Sequence, residues 1–159
     1  MKVLGVDPGT GRMGWAIVEK VKGQENLVDC GCLETPAHTP LAIRLEKIYT
    51  FLTELINKHK PEAASIEDLF FAKNRKTVMS VGAARGVIIL ACKQAKLNIK
   101  LYTPLQIKSS VTGYGQADKK QMQFMVKNLL KLDKAPEPDD AADAVAAALT
   151  FLSHPQVLQ

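Results

Sequence analysis

Two short apolar runs, each carrying a carboxylate at or near its C-terminal end, constrain this chain more than any other feature. Lys2–Asp7 reads KVLGVD, and residues 63–69 read AASIEDL with Glu67 inside the run. Such runs have the composition of buried central strands. A carboxylate at the end of one faces desolvation, and an unpaired buried charge is either strongly destabilising or neutralised by a pKa shift. Asp7 precedes Pro8-Gly9, so a simple turn accounts for it equally well in isolation. Glu67 tips the balance. Strand residues alternate faces, so Glu67 and Asp68 point oppositely and one of the two can join Asp7.

A third acidic feature is Asp140-Ala-Ala-Asp143. Positions three apart share a helix face. Acids in a first helical turn are favoured by the helix dipole, which suffices for Asp139 and Asp140. Asp143 lies deeper and leads into a run of small apolar residues, as in a helix packed closely on a sheet. Several carboxylates converging on one place repel unless a cation sits among them. Magnesium accepts one or two carboxylates and keeps water or phosphate oxygens as its other ligands. No Cys/His set has the spacing of a zinc site.

The remaining sequence supplies a frame for these acids. Residues 15–21 and 26–34 read as two more strands, making an antiparallel meander with the first. Thr39 is a candidate N-cap with Pro40 at N1. Leu41, Leu45, Ile48, Tyr49, Leu52, Leu55 and Ile56 then mark one helix face, ended by Pro61. Residues 70–76 read as a basic, aromatic loop, and residues 77–95 as a helix whose Gly82 and Gly86 allow close approach of another element. A strand over 98–103, a short helix and a Gly113–Gly115 turn follow. Asp118 and Gln121 form a capping-box start to a helix presenting Met122, Met125, Val126, Leu129 and Leu130. Asp139 or Asp140 opens a last, alanine-rich helix reaching about Ser153. The order predicts an α/β fold with a mixed sheet and helices on its faces, in a single domain over residues 1–159.

Composition agrees with a folded, anion-seeking protein. Apolar residues make up 47% of the 159, and 21 Lys and Arg against 16 Asp and Glu give a net charge of +5. The excess favours an anionic partner such as nucleic acid only modestly over a slightly basic enzyme. No apolar run reaches membrane-spanning length, and the N-terminus lacks a signal-peptide pattern. Cys30, Cys32 and Cys92 form no CxxC pair, which fits reduced thiols and a cytoplasmic location. Cys30 and Cys32 share a strand face and fit core packing.

Three blocks, GVDPGTGRMGWAIVE, SIEDLFFAKNRKTVMSVGAARG and PDDAADAVAAAL, together resemble the RuvC family of Holliday-junction resolvases in order, spacing and overall length. The resemblance implies a ribonuclease-H-like three-layer fold, a homodimer, and paired, symmetric nicking of four-way DNA junctions in recombination and repair. It implies two magnesium ions per site, with manganese as a substitute, held by Asp7, Glu67, Asp140 and Asp143. Some members carry His in place of Asp140. It further implies an aromatic wedge at Phe70 or Phe71, flanked by Lys73, Arg75 and Lys76, and DNA-contacting lysines at Lys108 and Lys119. A RuvA–RuvB-type branch-migration complex is the implied partner.

Other functions share parts of the pattern. Actin-like ATPases use an Asp-x-Gly-Thr turn, but need two lobes. A ribosomal-RNA-processing nuclease of related fold has a similar first strand, yet leaves the Glu67–Phe71 block without a role. A non-catalytic junction-binding module would not need four acids at these positions.

Overall fold

Antiparallel pairing of the first three strands builds one half of the sheet. A computed structural model describes residues 1–68 and 75–154, with residues 75–77 by backbone alone. Strands β1 (Lys2–Asp7), β2 (Arg12–Val21) and β3 (Gln24–Glu34) form the expected meander. Helix α1 (Leu41–His59) then carries the chain across, so that β4 (Ala63–Glu67) pairs parallel to β1. Helix α2 (Arg75–Gln94) does the same for β5 (Asn98–Tyr102), parallel to β4. Three more helices follow: α3 (Pro104–Thr112), α4 (Lys119–Leu129) and α5 (Asp139–Ser153). The sheet order is β3-β2-β1-β4-β5, a mixed sheet with β1 at its centre.

Strand alternation divides the core into two layers. Leu4, Val6, Ile17, Ala64 and Ile66 pack with Ile48 and Leu52 of α1 and with Ala84 and Ile88 of α2. The other face sets Val3, Ala16, Val18 and Ala63 against α3, α4 and α5. This is the helix–sheet–helix layering expected of an α/β fold.

Contact between α5 and the sheet is made by backbone. A Cβ on Gly5 would lie 2.0 Å from the Ala144 carbonyl oxygen, and one on Gly14 would lie 1.9 Å from that of Asp140. Ser65 Oγ donates to the Ala147 carbonyl at 2.6 Å, on the same face. Gly5 pairs with Ala16 on β2 and with Ser65 on β4, so one row of small residues crosses three strands under the helix. Ala141, Ala142, Ala144 and Ala146–Ala148 are all buried and keep the helix close.

Several local expectations need correction. Helix α1 is entered through Pro40, without a side-chain cap, so Thr39 is not its N-cap. Strand β2 begins at Arg12 and β4 ends at Glu67. Helix α2 begins at Arg75, which moves Arg75 and Lys76 from a loop into its first turn. Leu41 and Leu129 are exposed, at the margins of apolar faces whose centres are Ile48 and Leu52 in α1 and Met122 and Val126 in α4. Gly82 and Gly86 meet no other element within the described chain. The Asp118–Gln121 capping box is present with both hydrogen bonds.

The close approach of α5 predicts a specific sensitivity. Gly14→Ala should lower stability by about 1–3 kcal/mol, the usual range for overpacking, because the new methyl meets backbone. Urea unfolding at constant slope measures this; an unchanged midpoint would contradict the contact.

Candidate active site

The last residues of β1 and β4 are neighbours. The register Val6↔Ile66 leaves Asp7 and Glu67 side by side at the ends of two parallel strands. Asp7 is opposite Gly14 and two residues beyond Gly5, so it shares the face on which α5 lies. Glu67 shares that face with Ser65. Asp68 points the other way and pairs with Arg85 of α2 at 2.9 Å. Glu67 is therefore the acid that joins Asp7, as alternation requires.

Helix α5 brings the other two acids over the same strand ends. Asp140 sits above Gly14, the residue opposite Asp7. Asp143, one turn on, lines a groove of about 260 Å³ with Glu67, Lys108, Lys119 and Met122. Asp139 turns aside toward α4, where Lys119 Nζ stands 3.2 Å away and Gln123 Nε2 donates at 2.9 Å. The helix begins at Asp139 after Pro138, which fixes the face on which Asp140 and Asp143 project together.

Electrostatics bind these acids into one system. Burial is the main cause that lifts Asp7, from an ordinary 3.8 to about 9; the charge of Glu67, a hydrogen bond to it, and the charges of Asp143 and Asp140 add to the rise. Glu67 is raised chiefly by burial, with Asp143 adding to the rise and the Asp7 hydrogen bond and Lys108 opposing it. Asp143 is raised by burial and by Asp139 and Asp140, while Lys119 and Lys108 pull it down. Burial and mutual repulsion thus oppose the simultaneous ionisation of Asp7 and Glu67.

Among the described residues, no three His, Cys, Asp or Glu side chains stand as a ready-made metal cage. The donor chemistry nevertheless fits magnesium, which needs only one or two carboxylates and favours hard oxygen ligands. A dication beside Asp7 and Glu67 would relieve their repulsion.

Arg12 is a site residue that the sequence reading missed. Its Nε bonds Asp140 at 2.9 Å and its NH1 bonds Glu34 at 2.8 Å. The meander sets Arg12 opposite Glu34, which supplies a signal for the Glu34 pair. The bond to Asp140 depends on where α5 lies and leaves no local trace. The turn between Asp7 and Arg12 is held from outside: Thr35 Oγ1 donates to the Thr10 carbonyl, and Arg44 Nε donates to Thr35 Oγ1 at 2.7 Å.

Of the residues expected at DNA, Lys108 and Lys119 flank the acidic groove. Phe70, Phe71 and Lys73 lie outside the described residues, as do the side chains of Arg75 and Lys76.

A stability test follows from the Asp7 shift. A carboxyl raised on folding contributes stability that is full below its unfolded value of 3.8 and is lost as pH rises toward about 9. In EDTA near about pH 8, Asp7→Asn should therefore be more stable than wild type by at least about 1 kcal/mol. The difference should narrow as pH falls toward the unfolded value. Thermal melts across pH check this; a variant less stable at every pH would contradict the buried-acid reading.

Comparison with known proteins shows the family. The sequence model for crossover junction endodeoxyribonuclease RuvC matches residues 3–151. A Roseiflexus sp. (strain RS-1) protein of that name is 51% identical over 148 residues, covering 93% of this chain and 88% of that one. One from Caldicellulosiruptor saccharolyticus is 49% identical over 153 residues, covering 96% and 92%. Among solved structures, T. thermophilus RuvC in complex with a Holliday junction substrate superposes with a TM-score of 0.92 at 31% identity, covering 98% of this chain and 94% of that one. The yeast mitochondrial resolvase Ydc2 shares the fold, with a TM-score of 0.70 at 13% identity over 95% of this chain and 77% of that one. The chain belongs to the RuvC family of crossover junction endodeoxyribonucleases.

Proposed function

We propose that this chain resolves Holliday junctions by paired hydrolysis of phosphodiester bonds, with Asp7, Glu67, Asp140 and Asp143 holding two magnesium ions and manganese able to substitute. The observation that carries the reading is the convergence of these four carboxylates at one end of β1, β4 and α5. Family membership and the junction-bound T. thermophilus relative support the choice of substrate. When bound, such ions supply Lewis-acid chemistry: they activate water and stabilise the departing 3′ oxygen.

The chain's own residues set up that chemistry. Asp7 and Glu67 are fixed by strand register, so their oxygens need little reordering before reaction. Arg12 restrains Asp140 from the open side. Lys108 and Lys119 flank the groove and oppose the local negative charge, where they would receive a phosphate. Phe70 or Phe71, directly after the β4 acids, is the proposed wedge at the crossover, with Lys73, Arg75 and Lys76 beside it.

Two strands must be cut on opposite sides of a junction, and one domain of this size offers one site. A twofold dimer meets that need. The face of α2 that meets no other part of the described chain is suited to the contact. Met79, 78% exposed, and Leu90, 51% exposed, follow one line with the exposed Gly82 and Gly86. Glycines there allow a second helix to approach closely. A branch-migration complex of the RuvA–RuvB type is the proposed partner in cells.

A synthetic four-way junction with labelled strands tests this reading. Wild type should nick opposite strands in pairs with Mg²⁺ and leave the junction whole in EDTA. Asp7→Asn should bind the junction but cut it at least about a thousandfold more slowly, as when a central electrostatic group is removed from an active site. An uncut junction in Mg²⁺ would overturn the reading. Cutting confined to one strand would overturn the dimer.

A further inference from the structure

We infer that the groove between α3 and α4 is an aromatic pocket for an unstacked nucleobase of the DNA arm leaving the active site. This rests on the reading of the chain as a junction nuclease and adds a contact beyond the catalytic groove. The groove has a volume of about 490 Å³ and is lined by Tyr114, Phe124, Met125, Ala117 and Lys120, among others. Ala117 is buried at its base, while Tyr114 is 58% exposed and Phe124 63% exposed. Two large rings are thus more than half exposed beside a concave, mostly apolar surface.

Charge identifies the occupant. Residues 103–131 carry Lys108, Lys119, Lys120, Lys127 and Lys131 against a single acid, Asp118. That is a surplus of four positive charges, from five lysines less one aspartate, in a chain whose whole net charge is +5. Asp118 is engaged as the α4 cap, accepting from the Gln121 backbone N–H at 2.8 Å. Lysines track a phosphate backbone, and exposed aromatic rings beside them stack bases without regard to sequence. An apolar protein segment would fill the groove but would leave Lys120, the lysine that lines it, without an anionic partner.

Position links the pocket to the reaction. Lys119 lines the groove that holds Glu67 and Asp143, and the next residue, Lys120, lines the aromatic groove. The first turn of α4 separates the two. DNA whose scissile phosphate lies beside Lys119 has its continuing strand within reach of Lys120, Tyr114 and Phe124.

The test uses four-way junctions carrying 2-aminopurine at successive positions along one arm, with full-length protein in Ca²⁺ to hold back cutting. Wild type should change the emission at one position or a few adjacent ones. Phe124→Leu keeps the groove apolar but removes the ring, so the signal should disappear and Kd should rise roughly tenfold, the usual worth of a base–aromatic stack. Phe124→Tyr should retain both, and Tyr114→Leu should weaken both independently. Val28→Ala, an exposed apolar change on β3, serves as the control and should leave Kd unaltered. Unchanged emission and Kd in Phe124→Leu and Tyr114→Leu, with a wild type that still nicks junctions, would overturn this proposal alone and assign the groove to another partner such as a protein. A wild type that neither binds nor nicks junctions would remove the pocket and the nuclease reading together.

Discussion

The seating of α5 directly on the centre of the sheet is the contact on which the rest depends. It sets Asp140 and Asp143 against the ends of β1 and β4, and it requires that the strands offer no side chain beneath the helix at Gly5 and Gly14. The alanines of α5 meet the same need from the other side. Interiors pack densely enough that one extra methyl forces a shift. The small residues therefore do more than fill space: they fix the distance between two helix acids and two strand acids from distant parts of the sequence.

That proximity is unfavourable on its own. Burial raises the cost of ionising Asp7, Glu67 and Asp143, and neighbouring carboxylates raise it further. The fold offsets the cost locally. Asp7 is held toward its protonated form, Asp140 is paired with Arg12, and Lys108 and Lys119 act on Asp143. The exposed pair of Lys119 with Asp139 adds little stability by itself. It holds the Lys119 ammonium beside the groove lined by Glu67 and Asp143. A bound dication, as proposed, would offset the remaining repulsion, and perturbed carboxylates of this kind are common at functional sites.

Much of this arrangement was legible in the residues. An acid closing an apolar strand marked Asp7 as either a turn residue or a site residue, and alternation separated Glu67 from Asp68. The three-residue spacing of Asp140 and Asp143 gave a common helix face. The meander and the capping box at Asp118 followed equally from local chemistry. Less local facts were not legible. Arg12 meets Asp140 across 128 positions, and nothing beside either residue announces that pairing. Periodicity located the apolar faces of α1 and α4 but not their edges, so Leu41 and Leu129 were assigned to the interior although both are exposed. The close approach within the chain occurs at Gly5 and Gly14 in the strands, which local sequence did not single out. The exposed rings of Tyr114 and Phe124 became informative only once α3 and α4 lay side by side.

The account turns on whether the gathered oxygens take up divalent metal. Crystals soaked in Mn²⁺ and measured at the manganese absorption edge locate such ions directly, without reference to DNA cutting. The account predicts anomalous density between Asp7 and Glu67 and beside the Asp140–Asp143 face of α5, lost in Asp7→Asn. Density elsewhere on the molecule, with none among these four side chains at saturating Mn²⁺, would contradict it.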